Sequence, residues 1–135
     1  MRLAATIATA LLVLLAASSS SAQSFPPRTS IEGTVTDLTG STLPGASIVI
    51  TDEDTGFERF VISNAQGLFR ALVLPHGRYR VLVQLHGFKQ LSITGVTTTL
   101  GRPTVVDGAL SVGDFTEVQT RSFNAPVRSR AAQFQ

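Results

Sequence analysis

The chain has 135 residues, with 11 Lys and Arg against 9 Asp and Glu, two His and no Cys. The lack of cysteine excludes disulfide staples, thiolate metal sites and cysteine nucleophiles. A net charge of +2, carried by scattered arginines, offers no basic stripe for nucleic acid.

The N-terminus reads as a secretory signal peptide: Arg2, an apolar run from Leu3 to Ala17 broken only by Thr6 and Thr9, then the small polar tract Ser18–Ser21. Ser20 and Ala22 supply the small positions before a cut, which places the mature start at Gln23. The run is shorter than the ~20 apolar residues needed to span a bilayer. The expected product is therefore exported, to the periplasm, the outer-membrane surface or the extracellular space, with no membrane span after cleavage. Removing 22 of the 135 residues leaves 113, in which 10 basic residues face 9 acids once Arg2 is gone. A chain of that length supports one core rather than two.

After a lead-in at 23–30 containing Pro26 and Pro27, short apolar alternations are punctuated by Gly, Pro, Asn and Asp at close intervals, the rhythm of an all-β sandwich or barrel. Ile31, Gly33 and Val35 alternate with polar neighbours in a first strand that ends at Asp37. The stretch Gly40-Ser41-Thr42-Leu43-Pro44-Gly45-Ala46-Ser47 then turns into a second strand whose Ala46, Ile48 and Ile50 face the core. Val49 between them suggests cover on the second face as well. Past the Thr51–Gly56 turn, Glu58–Ser63 predicts a strand with Phe60 and Ile62 inward, closed by Asn64 and Gly67. Leu68–Leu72 places Phe69 and Ala71 inside and ends at the Pro75/Gly77 turn. Tyr79, Val81, Val83 and Leu85 give the clearest period of two. After the His86-Gly87 turn, Phe88–Val96 supplies another strand, and Val106, Gly108, Leu110 and Val112 one more. Phe115–Thr120 adds a last edge strand, and 121–135 reads as a flexible tail.

Together these turns spell G-T-V-T-D-x-x-G-x-x-L-P-G-A-x-I-x-I, T-D-x-x-T-G, N-x-x-G-x-F, L-P-x-G-x-Y-x-V-x-V and G-F. The pattern resembles the carboxypeptidase regulatory-like domain over about Ile31–Val112. The resemblance implies an all-β fold: a seven-stranded immunoglobulin-like or prealbumin-like sandwich over residues 31–120, with Greek-key connections. In that family such modules accompany carboxypeptidase catalytic domains, occur in surface proteins, and stand at the N-terminus of bacterial TonB-dependent outer-membrane receptors. Val112–Val118 followed by Ala125-Pro126 resembles a lead-out toward a receptor plug. The chain stops before a plug or barrel, so the expectation is a non-catalytic binding module for a glycan or a cell-envelope protein. The alternative is a detached receptor domain acting through envelope contacts.

Local motifs carry little chemistry. Gly40–Ser47 approaches a phosphate loop, but Ala46 replaces the lysine, Pro44 removes a backbone donor, and β-branched Ile48–Ile50 follow where a helix would begin. Asp52 and Asp54 are the candidate Ca²⁺ ligands, although Phe57 and Ser63 stand where an EF-hand loop opened at Asp52 needs Gly and Glu. His76 and His86 each precede a turn glycine, lack an H-x-x-E partner and have no third ligand. No serine has a G-x-S-x-G context, so the expectation is neither catalysis nor a cofactor. Phe57 and Phe115 remain as rings for stacking on a sugar, and Leu82, between Arg80 and Gln84, marks a contact face. Gly40, Pro44, Gly45, Gly56, Gly67, Pro75, Gly77, Tyr79 and Gly87 are assigned to turns and corners. The Tyr79 hydroxyl is expected to take a backbone partner.

Overall fold

The computed structural model describes residues 28–123. The expected signal peptide at 1–22, residues 23–27 of the expected lead-in and the chain from 124 onward lie outside these residues. Nine strands follow in order: β1 Arg28–Asp37, β2 Ser47–Asp52, β3 Glu58–Ile62, β4 Leu68–Pro75, β5 Arg78–Gln84, β6 Gln90–Thr97, β7 Pro103–Val105, β8 Gly108–Leu110 and β9 Val118–Ser122. They form two sheets. One has the order β4-β1-β7, with β8 also on β1; the other runs β3-β2-β5-β6-β9.

The fold is the expected all-β sandwich, with nine strands in place of seven. The expected strand Val106–Val112 begins earlier, at Pro103, and is split into β7 and β8. Both run parallel to β1 in one register, Ser30 opposite Pro103 and Val35 opposite Gly108. The split falls at Val106-Asp107, for a reason that also creates the main groove. The added edge strand is β9, which pairs parallel with β6 and runs to Ser122, past the boundary at 120. At the other end, β1 starts at Arg28, inside the segment read as lead-in.

Alternation fills the space between the sheets. Ile31, Val35, Phe69, Ala71, Leu74, Val106 and Leu110 project from the smaller sheet; Ala46, Ile48, Ile50, Tyr79, Val81, Val83, Leu91, Ile93 and Val96 project from the larger. Each fully buried Ile or Val contributes roughly 1.5–3 kcal/mol relative to exposure. The link Gly40–Ala46 carries the chain from one sheet to the other, pinned by Leu43 N–H to the Val35 carbonyl at 2.8 Å and by Ala46 N–H to Ser63 Oγ at 2.9 Å.

Strand β3 corrects one expectation. Phe60 and Ile62 point out, 58% and 57% exposed, while Val61 packs against the core. Phe60-Val61-Ile62 is apolar at every position, so its own pattern does not choose a face. Pairing with β2 does: Val61 stands opposite buried Ile48, and Phe60 opposite half-buried Val49.

Candidate functional site

A concavity lies on the outer face of the smaller sheet, where β1 exchanges partner β7 for β8. Val106 N–H still bonds the Glu32 carbonyl at 2.8 Å. One residue later the ladder is interrupted, and Thr34 N–H donates instead to Asp107 Oδ1 at 3.0 Å. Residue 33 has to be glycine for this to happen, because a Cβ there would sit 1.9 Å from the Val106 carbonyl oxygen. The interruption opens a groove of about 470 Å³ lined by Glu32, Thr34, Asn64, Leu68, Arg70, Val105 and Asp107, with backbone from Gly33 and Phe69.

Its polar groups are held by an ion pair and by backbone hydrogen bonds. Arg70 Nε lies 3.0 Å from Glu32 Oε2, across the β1–β4 pair. Asn64 Oδ1 accepts N–H bonds from Gln66 and Leu68, both at 2.9 Å, which leaves its amide N–H donors without a protein partner among the described residues. Arg121 on β9 donates to the Asp107 carbonyl at 2.8 Å and braces the rim from the second sheet. Carboxylate, guanidinium and amide groups over the apolar Leu68 and Val105 can bind neighbouring hydroxyls by paired hydrogen bonds.

A second feature occupies the opposite face of the molecule. On the outer side of the larger sheet, Phe60 lies across from Val49 and Val49 across from Leu82, with Ile62 two residues along on the open edge strand. Leu82, half-buried on central strand β5, thus belongs to an apolar patch rather than to an isolated contact point.

The family model described as the carboxypeptidase regulatory-like domain matches residues 30–111. The chain belongs to this family. The match runs from β1 through β8 and includes every residue that lines the groove. A comparison with curated proteins finds no significant match. Among solved structures, a candidate carbohydrate binding protein from Bacteroides uniformis superposes with TM-score 0.52 at 20% identity, covering 62% of this chain and 41% of that one. The Bacillus anthracis TIE protein gives 0.53 at 17%, covering 64% and 17%. Catechol 1,2-dioxygenase from Acinetobacter radioresistens gives 0.52 at 15%, covering 78% and 60%. At these identities the likeness shows the fold alone, and the chain spans less than two thirds of each of these proteins.

Within this regulatory-like sandwich, the residues nominated from sequence are dispersed. Phe57 sits in the β2–β3 turn with the Arg59 guanidinium 5.8 Å from its ring centre. Phe115 sits at the other end of the sandwich, 6.4 Å from the His86 ring. Leu82 lies between them, mid-strand. Asp52 is buried, and its Oδ1 already accepts N–H bonds from Asp54 at 2.8 Å and Thr55 at 3.0 Å, so it organises the turn, while Asp54 is exposed. Among the described residues no three His, Asp or Glu side chains cluster as metal ligands. His76 and His86 flank opposite ends of β5.

Gly40, Gly45, Gly56, Gly67 and Gly87 all take positive φ. Gly67 is doubly constrained, since a Cβ would also approach the Val35 carbonyl oxygen to 2.7 Å. Gly77 packs against Asp52, whose Oδ2 is 3.0 Å from where a Cβ would sit. Tyr79, fully buried, donates its hydroxyl to the Pro75 carbonyl at 2.5 Å. Burial raises its pKa, the nearby Asp52 charge raises it further, and Arg59 opposes. Pro44 is exposed at the sheet-crossing link.

Sequence reasoning nominated none of Glu32, Asn64, Arg70 and Asp107. They come from three segments, at residues 32, 64–70 and 107, and no local motif joins all of them. The available signal was Gly33, a glycine inside a strand pattern, which marks close backbone approach.

Proposed function

We propose that the chain is an exported, non-catalytic binding module that takes a glycan in the groove on the outer face of its smaller sheet. One observation carries this reading: a groove of about 470 Å³ in which a carboxylate pair, a guanidinium and an amide converge over two aliphatic side chains. The fold's likeness to a candidate carbohydrate binding protein supports it by analogy. No exposed aromatic ring lines the groove, so recognition would rest on hydrogen bonds. Arg70 and Glu32 are the residues to test. Their ion pair is partly exposed and adds about 0–1 kcal/mol to stability at most. Arg70→Ala and Glu32→Gln should therefore lower glycan affinity about ten-fold or more, a loss of at least 1.4 kcal/mol, with unfolding midpoints near the parent's. Calorimetric titration against a panel of oligosaccharides measures the affinity, and thermal unfolding of the parent and both variants measures the midpoint. Retained affinity in both variants would remove the groove from the reading.

The patch of Val49, Phe60, Ile62 and Leu82 favours a second reading, contact with a cell-envelope protein that lays an extended strand along β3. Its N–H and C=O groups at Glu58, Phe60 and Ile62 face away from β2, because the alternation is set by the Phe57 carbonyl accepting from Asp52 N–H at 2.7 Å and by Ser63 N–H donating to the Ala46 carbonyl at 2.9 Å.

A further inference from the structure

A second depression, of about 380 Å³, lies on the same sheet face, bordered by Arg28, Ser30, Leu72, Val73, Arg102 and Pro103. The two hollows use the same three strands in the same order. Along β1, Arg28 and Ser30 line the second hollow, and Glu32 and Thr34 the first. On β4, Leu72 and Val73 are followed toward the first hollow by Arg70 and Leu68. On the far side Arg102 and Pro103 precede Val105 and Asp107. They are consecutive segments of one trough, roughly 20 Å long from Arg28 to Thr34 at 3.3 Å per residue.

The two ends differ in charge. Glu32 and Asp107 mark one end, where Arg70 is engaged with Glu32. Arg28 and Arg102 mark the other, where no carboxylate lines the hollow and neither arginine forms an ion pair among the described residues. The apolar wall at this end has an unusual backbone. The β1–β4 register shifts between Thr29 and Ile31, and Val73 takes φ 61°, a left-handed conformation that a β-branched residue rarely adopts. Leu72 continues the outward phase of Leu68 and Arg70, and the extra β4 residue at the shift adds Val73 to the same face, so that the two are 52% and 54% exposed beside the two arginines.

We infer that the trough takes a linear acidic glycan, with a uronic acid carboxylate held between Arg28 and Arg102 and the hydroxyls of the adjoining sugars on Glu32, Arg70 and Asn64. This rests on the glycan reading of the groove and names the ligand's class and direction. Guanidinium groups accept a carboxylate through paired, charge-assisted hydrogen bonds, and Leu72 and Val73 offer an apolar flank to a sugar ring.

The test is calorimetric titration of the whole chain with oligogalacturonate and oligo-alginate, each beside its own methyl ester, which keeps the backbone and removes the charge. The acid forms of one of these sugars should bind roughly ten-fold tighter than the ester, the worth of one charge-assisted pair. Arg28→Gln with Arg102→Gln should bring the acid down to the ester's affinity and leave the ester unchanged, whereas Arg70→Ala should weaken both. Equal affinity for acid and ester, or a preference that survives the double arginine change, overturns the inference and leaves the groove reading standing if Arg70→Ala still weakens binding. Binding of neither form of either sugar overturns the inference, and the oligosaccharide panel with Arg70→Ala and Glu32→Gln then decides the groove reading separately.

Discussion

Gly33 and Tyr79 show how single residues set this structure. At Gly33 any side chain collides with the Val106 carbonyl, a backbone atom that cannot rotate aside. Gly33→Ala should destabilise the fold by about 3 kcal/mol or more, the scale of overpacking combined with a broken ladder bond, which chemical denaturation would register as a lower midpoint. An unchanged midpoint would mean that β7 and β8 can separate from β1 at little cost. Tyr79 combines a buried ring with a hydroxyl bonded to the Pro75 carbonyl. Tyr79→Phe keeps the ring and should cost about 0.5–1.5 kcal/mol, read from the same unfolding curves.

Among the elements, β3 is the exposed one. It is an edge strand with free backbone groups and two outward apolar side chains, a combination that invites pairing. Phe60→Lys should leave the unfolding midpoint near the parent's, because the ring faces solvent, while weakening capture of an envelope partner in a pull-down. Leu82→Lys should also weaken capture, from the middle of the patch, but with a lower unfolding midpoint because Leu82 is half-buried on a central strand. A loss of folding in Phe60→Lys would show that β3 needs its ring for a contact within the chain. The element scale also explains the missed face of β3. Three consecutive apolar residues carry no phase, whereas Tyr79-Arg80-Val81-Leu82-Val83 has enough polar interruption to assign its inner face correctly from sequence.

For the molecule as a whole, three groups among the described residues have displaced pKa values and shape the response to pH. Asp37 is held below the ordinary carboxylate range, chiefly by the Thr39 hydroxyl, with help from the N–H groups of Ser41, Thr39 and Gly40. Asp114 is lowered by Thr116, through its N–H first and its side chain second. Both contributions are complete above the ordinary value of 3.8 and are lost as pH falls through the lowered folded-state values. Tyr79 acts in the opposite sense. Its folded-state pKa lies above the ordinary 10.0, so its contribution is complete below 10.0 and is lost as pH rises through the raised value. Thermal melts should be level between these limits and fall on both sides, and Tyr79→Phe should flatten the alkaline fall only. An alkaline fall that persists unchanged in that variant would assign it to other groups.

The sequence by itself determined the all-β class, the family, most strand positions and the core phase of β1, β2, β4 and β5. Those properties are local: a period of two, a turn glycine or a corner tyrosine acts over a few residues, and each is written in consecutive letters. The tertiary structure alone decided which residues meet across the sheets. The groove depends on the parallel register of β1 with a segment about seventy positions away, on the bond from Thr34 to Asp107, and on Arg70 of β4 meeting Glu32 of β1. Phe57 and Phe115, chosen for their chemistry as single residues, were carried to opposite ends of the sandwich. Long-range strand pairing is a choice among registers whose energies come from packing and hydrogen bonds between distant segments. That choice placed Glu32, Arg70 and Asp107 on one face.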